Sequence, residues 1–212
     1  MTSQTAQARF FLVRHGRTAG NAQRYMGWSD EPLNETGHRE AATVRTALKR
    51  EPIAAIYASP FLRTMETARP LAAALGLEIE PRDTLREINF GRYQGLSKVD
   101  HPLKVRFDYA TTPIPGGESL ADVARRSMAF MDEIAPRLRV GETIAVVSHF
   151  WTSRVLVGSL LKLPIETMLS QLDYKPATGS VLAVDCTIDE RGGILIRRKD
   201  LLASPHGIPD EA

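Results

Sequence analysis

The chain is poor in cysteine, with one residue, Cys186, among 212. A single thiol excludes an internal disulfide and any zinc site built from cysteines. Cys186 follows the apolar run Val181 to Val184, so it reads as a buried structural thiol rather than a nucleophile. Long apolar runs are missing too. None approaches the roughly 18 residues that a membrane-spanning helix needs, and the polar segment before Phe10 lacks the apolar stretch of a secretory leader. A cytoplasmic location is expected, and the glycosylation-like triplet Asn34-Glu35-Thr36 then carries no meaning. Charge of one sign is not in excess either. Lys and Arg number 27 against 25 Asp and Glu, a formal net charge of +2, and the basic residues are scattered. Neither a nucleic acid nor a membrane is implied as a partner. No internal repeat and no low-complexity tract is found.

What remains is an ordinary globular composition, 43% hydrophobic and 25% charged, long enough to bury a full core. Strand-like and helix-like patterns alternate, which predicts an α/β fold: a three-layer α/β/α sandwich around a mostly parallel central sheet. Buried strands are read at Phe10 to Val13, Ile53 to Ala58 and Ile144 to Val147, with a short one near Leu77 to Ile79 and two last ones around Val181 to Val184 and Ile194 to Ile196. Helices are read after Thr36, from Leu62 to a stop at Gly76, after Ser119 as N-cap, and from His149 through Leu163. One domain over 1–212 is expected, with its core at about 9–198, a lid-like excursion at about 83–117 and a disordered tail at about 203–212.

Two strand ends carry the chemistry. Phe10-Phe11-Leu12-Val13 runs into Arg14-His15-Gly16, and Ile144-Ala145-Val146-Val147 runs into Ser148-His149. Ligands of open α/β sheets bind outside the carboxyl ends of strands, so two histidines there read as one site. Arg63, in the first turn of the helix after an exposed Ser59, adds positive potential to the same crevice. Glu87, in LREINFGRYQG, has two readings that the residues alone leave open. It is an ion-pair partner of Arg82 or Arg86, or a proton donor to a leaving oxygen.

The string LVRHGRTAGNAQRYMGWSDEPLNETGHREA resembles the opening of the histidine phosphatase superfamily, which includes the cofactor-dependent phosphoglycerate mutases. Its arginine-histidine-glycine motif is followed at the family's spacing by Thr18 and Asn21. Ser59 with Arg63, Glu87 ahead of Gly91, and His149 then follow in the family's order, so the likeness runs over about residues 9 to 185. The resemblance implies a phosphoglycerate mutase-like fold, His15 as the nucleophile that becomes a phosphohistidine, and Arg14, Asn21, Arg63 and His149 as phosphate ligands. Glu87 becomes the general acid and then the base, and His149 a further catalytic donor. No cofactor and no metal is called for.

Two positions depart from the family pattern. Phe150-Trp151 stands where glycine usually follows the second histidine, and Arg17 where glutamate or glutamine is frequent. Arg17, Thr18, Glu118 and Phe150 are therefore candidates for the substrate pocket, with Glu118 alternatively serving the dipole of its helix. Only 22 residues separate Gly95 from Glu118, shorter than the insertion of the mutases, and PGGES at Pro115 to Ser119 resembles the phosphatase branch. The expected activity is hydrolysis of a small phosphate monoester. Mutase activity and a non-catalytic phosphate-binding module are the alternatives. Lys98, Lys104 and Arg106 hint at a second anionic group on the substrate, against the favoured reading of solvated charges on the lid-like segment. A homodimer is left open.

Overall fold

In the computed structural model the described residues are 6–203, with the side chains of residues 106, 107 and 169 outside the description. The expectation for Arg106 therefore lies outside the described residues, as does the expected tail beyond residue 203. Six strands form one sheet: β1 (Ala6–Arg14), β2 (Ile53–Ala58), β3 (Ile79–Pro81), β4 (Thr143–Ser148), β5 (Val181–Ile188) and β6 (Ile194–Ala203), in the order β3-β2-β4-β1-β5-β6. The first four are mutually parallel. β5 and β6 extend the sheet antiparallel on the β1 side.

β1 shows why its apolar run is continuous. Phe10 and Leu12 belong to one core cluster and Phe11 and Val13 to another, all of them fully buried. β4 repeats this, with Ile144 and Val146 in the first cluster and Ala145 and Val147 in the second. A strand covered on both faces has no polar face to alternate with. Each large apolar side chain so buried contributes about 1.5–3 kcal/mol. Helices α1 (Glu35–Leu48) and α2 (Leu62–Leu75) cover one face, and α4 (Leu120–Arg139) and α5 (Phe150–Leu160) the other. The predicted sandwich is thus the observed fold.

Several boundaries shift for local reasons. α1 starts at Glu35 rather than after Thr36, because the Asn34 side chain accepts from the Gly37 amide and caps it. The helix from His149 stops at Leu160, and a further short helix, α6 (Ile165–Gln171), follows Pro164. The sequence reading ends its helix at Leu163 and does not include α6, whose seven residues are too few to show a helical period. β5 and β6 are longer than their apolar cores, since polar Asp185, Thr187 and Arg198 to Asp200 sit in ladder positions of an edge hairpin. Ser119 caps α4 with a full capping box closed by Asp122.

The segment 83–117 contains two single turns of 3₁₀ helix and the one-turn helix α3 (Val105–Asp108). It is nevertheless packed. Ile88, Phe90, Val105 and Ile114 form a third apolar cluster with Phe150, Trp151 and Val155 of α5. It closes on itself at Gly91, whose φ is +50° and where a Cβ would clash with the Pro115 carbonyl. Cys186 is buried, its thiol pushed up to about 11 by that burial, as a structural thiol should be. Among the described residues no helix is long and apolar enough to cross a membrane.

Candidate active site

The parallel register of β1 and β4 builds the centre. Arg14 lies opposite Ser148, and the His15 amide donates to the Ser148 carbonyl at 3.0 Å. The next residues on the two strands, His15 and His149, then meet with ring centroids 5.1 Å apart. The turn after His15 needs its glycine because α1 comes so close. A Cβ on Gly16 would sit 2.6 Å from the Gly37 carbonyl oxygen. Glu40 of α1 ties the same turn down, accepting from the Arg17 amide at 2.7 Å and from the Thr178 hydroxyl at 2.9 Å.

Both histidines are buried, and burial pushes both imidazoles well below their ordinary range, with Arg63 and then other nearby positive groups adding to the effect. They are therefore neutral. Nδ1 of His15 lies 2.7 Å from the Gly16 carbonyl oxygen. A carbonyl can only accept, so Nδ1 carries the proton and Nε2 keeps its lone pair. Neither ring nitrogen of His149 has a hydrogen-bond partner among the described residues. Such a buried orphan is costly unless a ligand satisfies it.

Two arginines flank this pair. Arg14 donates to the Pro176 carbonyl at 2.8 Å and its guanidinium lies 5.0 Å from the centre of the Phe150 ring. Arg63, held in the first turn of α2, donates to the carbonyls of Ser29 and Gly27, each at 2.7 Å. Burial lowers it to about 10, which leaves it cationic at neutral pH. Asn21 is oriented by Thr18, whose amide and hydroxyl both donate to Oδ1, at 2.7 and 3.2 Å. The amide nitrogen of Asn21 is thus the end that Thr18 does not hold. Arg14, His15, Asn21, Arg63, Glu87 and Phe150 all line one cavity of about 520 Å³.

Glu87 resolves to neither arginine. Arg82 pairs with Glu80 and Glu133, and Arg86 with Asp83. Instead the carboxylate faces the start of α5. Oε1 accepts from the Ile88 amide at 2.9 Å and the Thr152 amide at 3.2 Å, and Oε2 from the Trp151 amide at 3.2 Å. A helix N-terminus is a favourable seat for a carboxylate. The segment carrying it is clamped by Arg126 of α4, which donates to the carbonyls of Thr84, Arg86 and Glu87 while paired with Glu118.

Four expected positions fall elsewhere. Glu118 does not line the cavity, nor does it serve its helix dipole, because its carboxylate is taken up by Arg126 and by the Asn89 amide. Thr18 supports Asn21 from behind and is itself 2% exposed. Arg17 is not among the residues lining the cavity, and its backbone amide donates to Glu40. Ser59, expected to be exposed, is fully buried beneath the turn into α2. Phe150 and Trp151, by contrast, both pack into the third core cluster and border the cavity.

Sequence reasoning also missed residues. Arg154 lines the cavity one helical turn beyond Phe150, an i, i+4 spacing that was visible in the chain. Phe61, whose ring lies 5.7 Å from that of His149 and 4.7 Å from the Arg63 guanidinium, carried no signal. Lys175 and Arg126 carried none either.

Fold and site together define an α/β protein that gathers two neutral imidazoles and two arginines at the carboxyl ends of its strands. Residues 10–192 match the model of the histidine phosphatase superfamily (branch 1), and the chain belongs to that family. It is similar to a 2,3-bisphosphoglycerate-dependent phosphoglycerate mutase of Parvibaculum lavamentivorans, 33% identical over 208 residues that span 90% of this chain and 94% of that one. Phosphoserine phosphatase 1 of Hydrogenobacter thermophilus is 34% identical over 168 residues, 72% of this chain and 76% of that one. Among solved structures, mycobacterial glucosyl-3-phosphoglycerate phosphatase superposes with a TM-score of 0.82 at 28% identity, covering 93% of this chain and 100% of that one. Family and relatives make this chain a histidine phosphatase acting on phosphate monoesters.

Proposed function

We propose that the chain hydrolyses a small phosphorylated metabolite in two steps, with His15 as the phosphorylated residue. The observation that carries this reading is the pair of buried neutral imidazoles. One is locked by Gly16 with Nε2 bare, and the other has both nitrogens unpartnered among the described residues, with Arg63 and Arg14 both acting on it electrostatically. In the first step Nε2 of His15 bonds to phosphorus, the ester P–O bond breaks, and the leaving oxygen takes a proton from Glu87. In the second, water attacks phosphorus and gives its proton back to Glu87 while the P–N bond breaks. Oε2 of Glu87, with its single 3.2 Å hydrogen bond, is the oxygen suited to carry that proton. Arg14, Arg63, Asn21 and His149 hold the equatorial oxygens, where phosphoryl transfer gains most of its acceleration.

The 33% identity to a bisphosphoglycerate-dependent mutase keeps a second reading open, in which the phosphoryl group returns to a bound glycerate. Favouring hydrolysis is the short 96–117 segment, which supplies one helical turn and a wall rather than a closed cover. The completeness of the site argues against a module that merely binds phosphate. The experiment is phosphate release from p-nitrophenyl phosphate and from alkyl phosphates in EDTA, run beside interconversion of 3- and 2-phosphoglycerate with added bisphosphoglycerate. Hydrolysis undiminished by EDTA and faster than interconversion is expected. Interconversion well above hydrolysis would establish the mutase. In the same assay Glu87→Gln lowers kcat/KM about a hundredfold for alkyl esters and far less for the nitrophenyl ester, whose leaving group needs no proton, while kcat falls for both because water in the second step has lost its base.

A further inference from the structure

Glu87 is held at both of its ends. Its carboxylate accepts from the first amides of α5, those of Trp151 and Thr152. Its main-chain carbonyl takes two further donors, which come from opposite parts of the chain. One is Nη2 of Arg126 on α4, at 3.0 Å, and the other is the indole Nε1 of Trp28, in the loop between β1 and α1, at 2.8 Å.

Both donors are themselves fixed. Arg126 pairs with the Glu118 carboxylate through Nε at 2.9 Å and Nη2 at 3.1 Å, and its Nη1 reaches the carbonyls of Thr84 and Arg86. One planar fork thus serves three carbonyls of the same stretch, which an ammonium group could not do. The Trp28 amide donates to the Gln94 side chain at 2.8 Å, and the Arg86 guanidinium lies 4.8 Å from its ring centre. The turn that carries Trp28 also presents the carbonyls of Gly27 and Ser29 to Arg63, each at 2.7 Å. A single short piece of chain therefore seats both a phosphate-end arginine and the backbone of Glu87.

The two ends of Glu87 respond differently to a proton. Amide donors hold a carboxylate more strongly than a neutral carboxyl, so the grip of α5 weakens when Glu87 is protonated. The bonds to its main-chain carbonyl do not depend on that proton. They hold the residue in the very form from which it donates.

We propose that Arg126 and Trp28 are positioning residues for Glu87, which through its main-chain carbonyl keep the carboxyl within reach of the leaving oxygen. This rests on the reading of Glu87 as proton donor given above and adds the residues that aim it. Neither Arg126 nor Trp28 lines the cavity, so both act through Glu87 and not on the substrate.

The test compares kcat/KM for glycerol 3-phosphate, whose alkoxide must be protonated as it leaves, with that for p-nitrophenyl phosphate, whose leaving group needs no proton. Arg126→Lys keeps the charge opposite Glu118 and loses the fork. Trp28→Phe keeps a ring beside Arg86 and loses the N–H. Each is expected to lower kcat/KM about tenfold for glycerol 3-phosphate and to leave p-nitrophenyl phosphate within about twofold. Added to Glu87→Gln, neither changes the ratio between the two esters further, because there is no acid left to aim. Trp28 is only partly buried, so its variant keeps the test valid even if the Arg126 variant folds poorly. Equal losses on the two esters, no loss in either folded variant, or a ratio that shifts further in the Glu87→Gln background overturns the positioning role. Failure of the underlying reading looks different: Glu87→Gln itself then shows no preference between the esters, and the inference falls with it.

Discussion

The two ends of the cavity are built by opposite means. At the phosphate end, His15, His149, Arg14 and Arg63 are all buried and all placed by regular elements: two parallel strand ends and the first turn of a helix. The rest of the lining, the far end, has Lys104 and Lys175 on irregular chain and Arg154 on a helix. The sheet ladder fixes positions to within a hydrogen-bond length, which is what an in-line attack on phosphorus demands. Packed loops can change without disturbing that ladder. The contrast locates catalysis in the scaffold and choice of substrate in what is laid over it.

The sharpest way to break this comparison is to remove one cation from each end. Arg63→Gln is expected to lower kcat/KM about 10²–10³-fold for every ester, since it strips donors that act on the transferring group. Lys104→Gln is expected to change hydrolysis of p-nitrophenyl phosphate by less than about threefold, as an exposed charge does. Steady-state kinetics on the two variants decides the matter, and comparable losses would erase the distinction between the ends.

A smaller effect tests burial itself. The folded chain holds His15 and His149 neutral well below 6.5, whereas the unfolded chain protonates them near that value. The unfolded state therefore binds more protons as pH falls below 6.5, and folding stability declines there, by up to about 1.4 kcal/mol per pH unit for each histidine. Urea unfolding between pH 7 and pH 5 should show the decline in wild type and a shallower one in His149→Asn. An unchanged slope would mean that the second imidazole is not held neutral by its surroundings.

Legibility in the sequence divides along the same line as the cavity. The phosphate end could be read because buried parallel strands leave continuous apolar runs, and whatever follows such a run stands at the sheet's carboxyl edge. Arg14-His15 and Ser148-His149 announce themselves in that way, and Gly16 marks the close approach of α1. The far end could not be read, because Lys175 follows a stretch without periodicity and Arg154 looks like any helix arginine until Phe150 is seen beside it. Glu118 shows the other limit. A carboxylate next to a helix start suits several roles, and only the position of Arg126 eight residues on, across one face of α4, assigns it to holding the Glu87 segment. Asn34 rather than Thr36 caps α1 for a similar reason: both residue types can cap, and the choice follows from where Gly37 must lie against Gly16 and Arg17.

The central claim is that the imidazole locked by the Gly16 carbonyl attacks phosphorus. Rapid mixing with substrate, quenching in base to preserve phosphoramidate bonds, and mass spectrometry of the peptides tests it most directly. A phosphoryl group on the peptide carrying His15, absent from the His15→Ala protein together with its hydrolytic activity, is the expected result. A phosphoryl group on another residue, or hydrolysis retained in His15→Ala, would contradict the account.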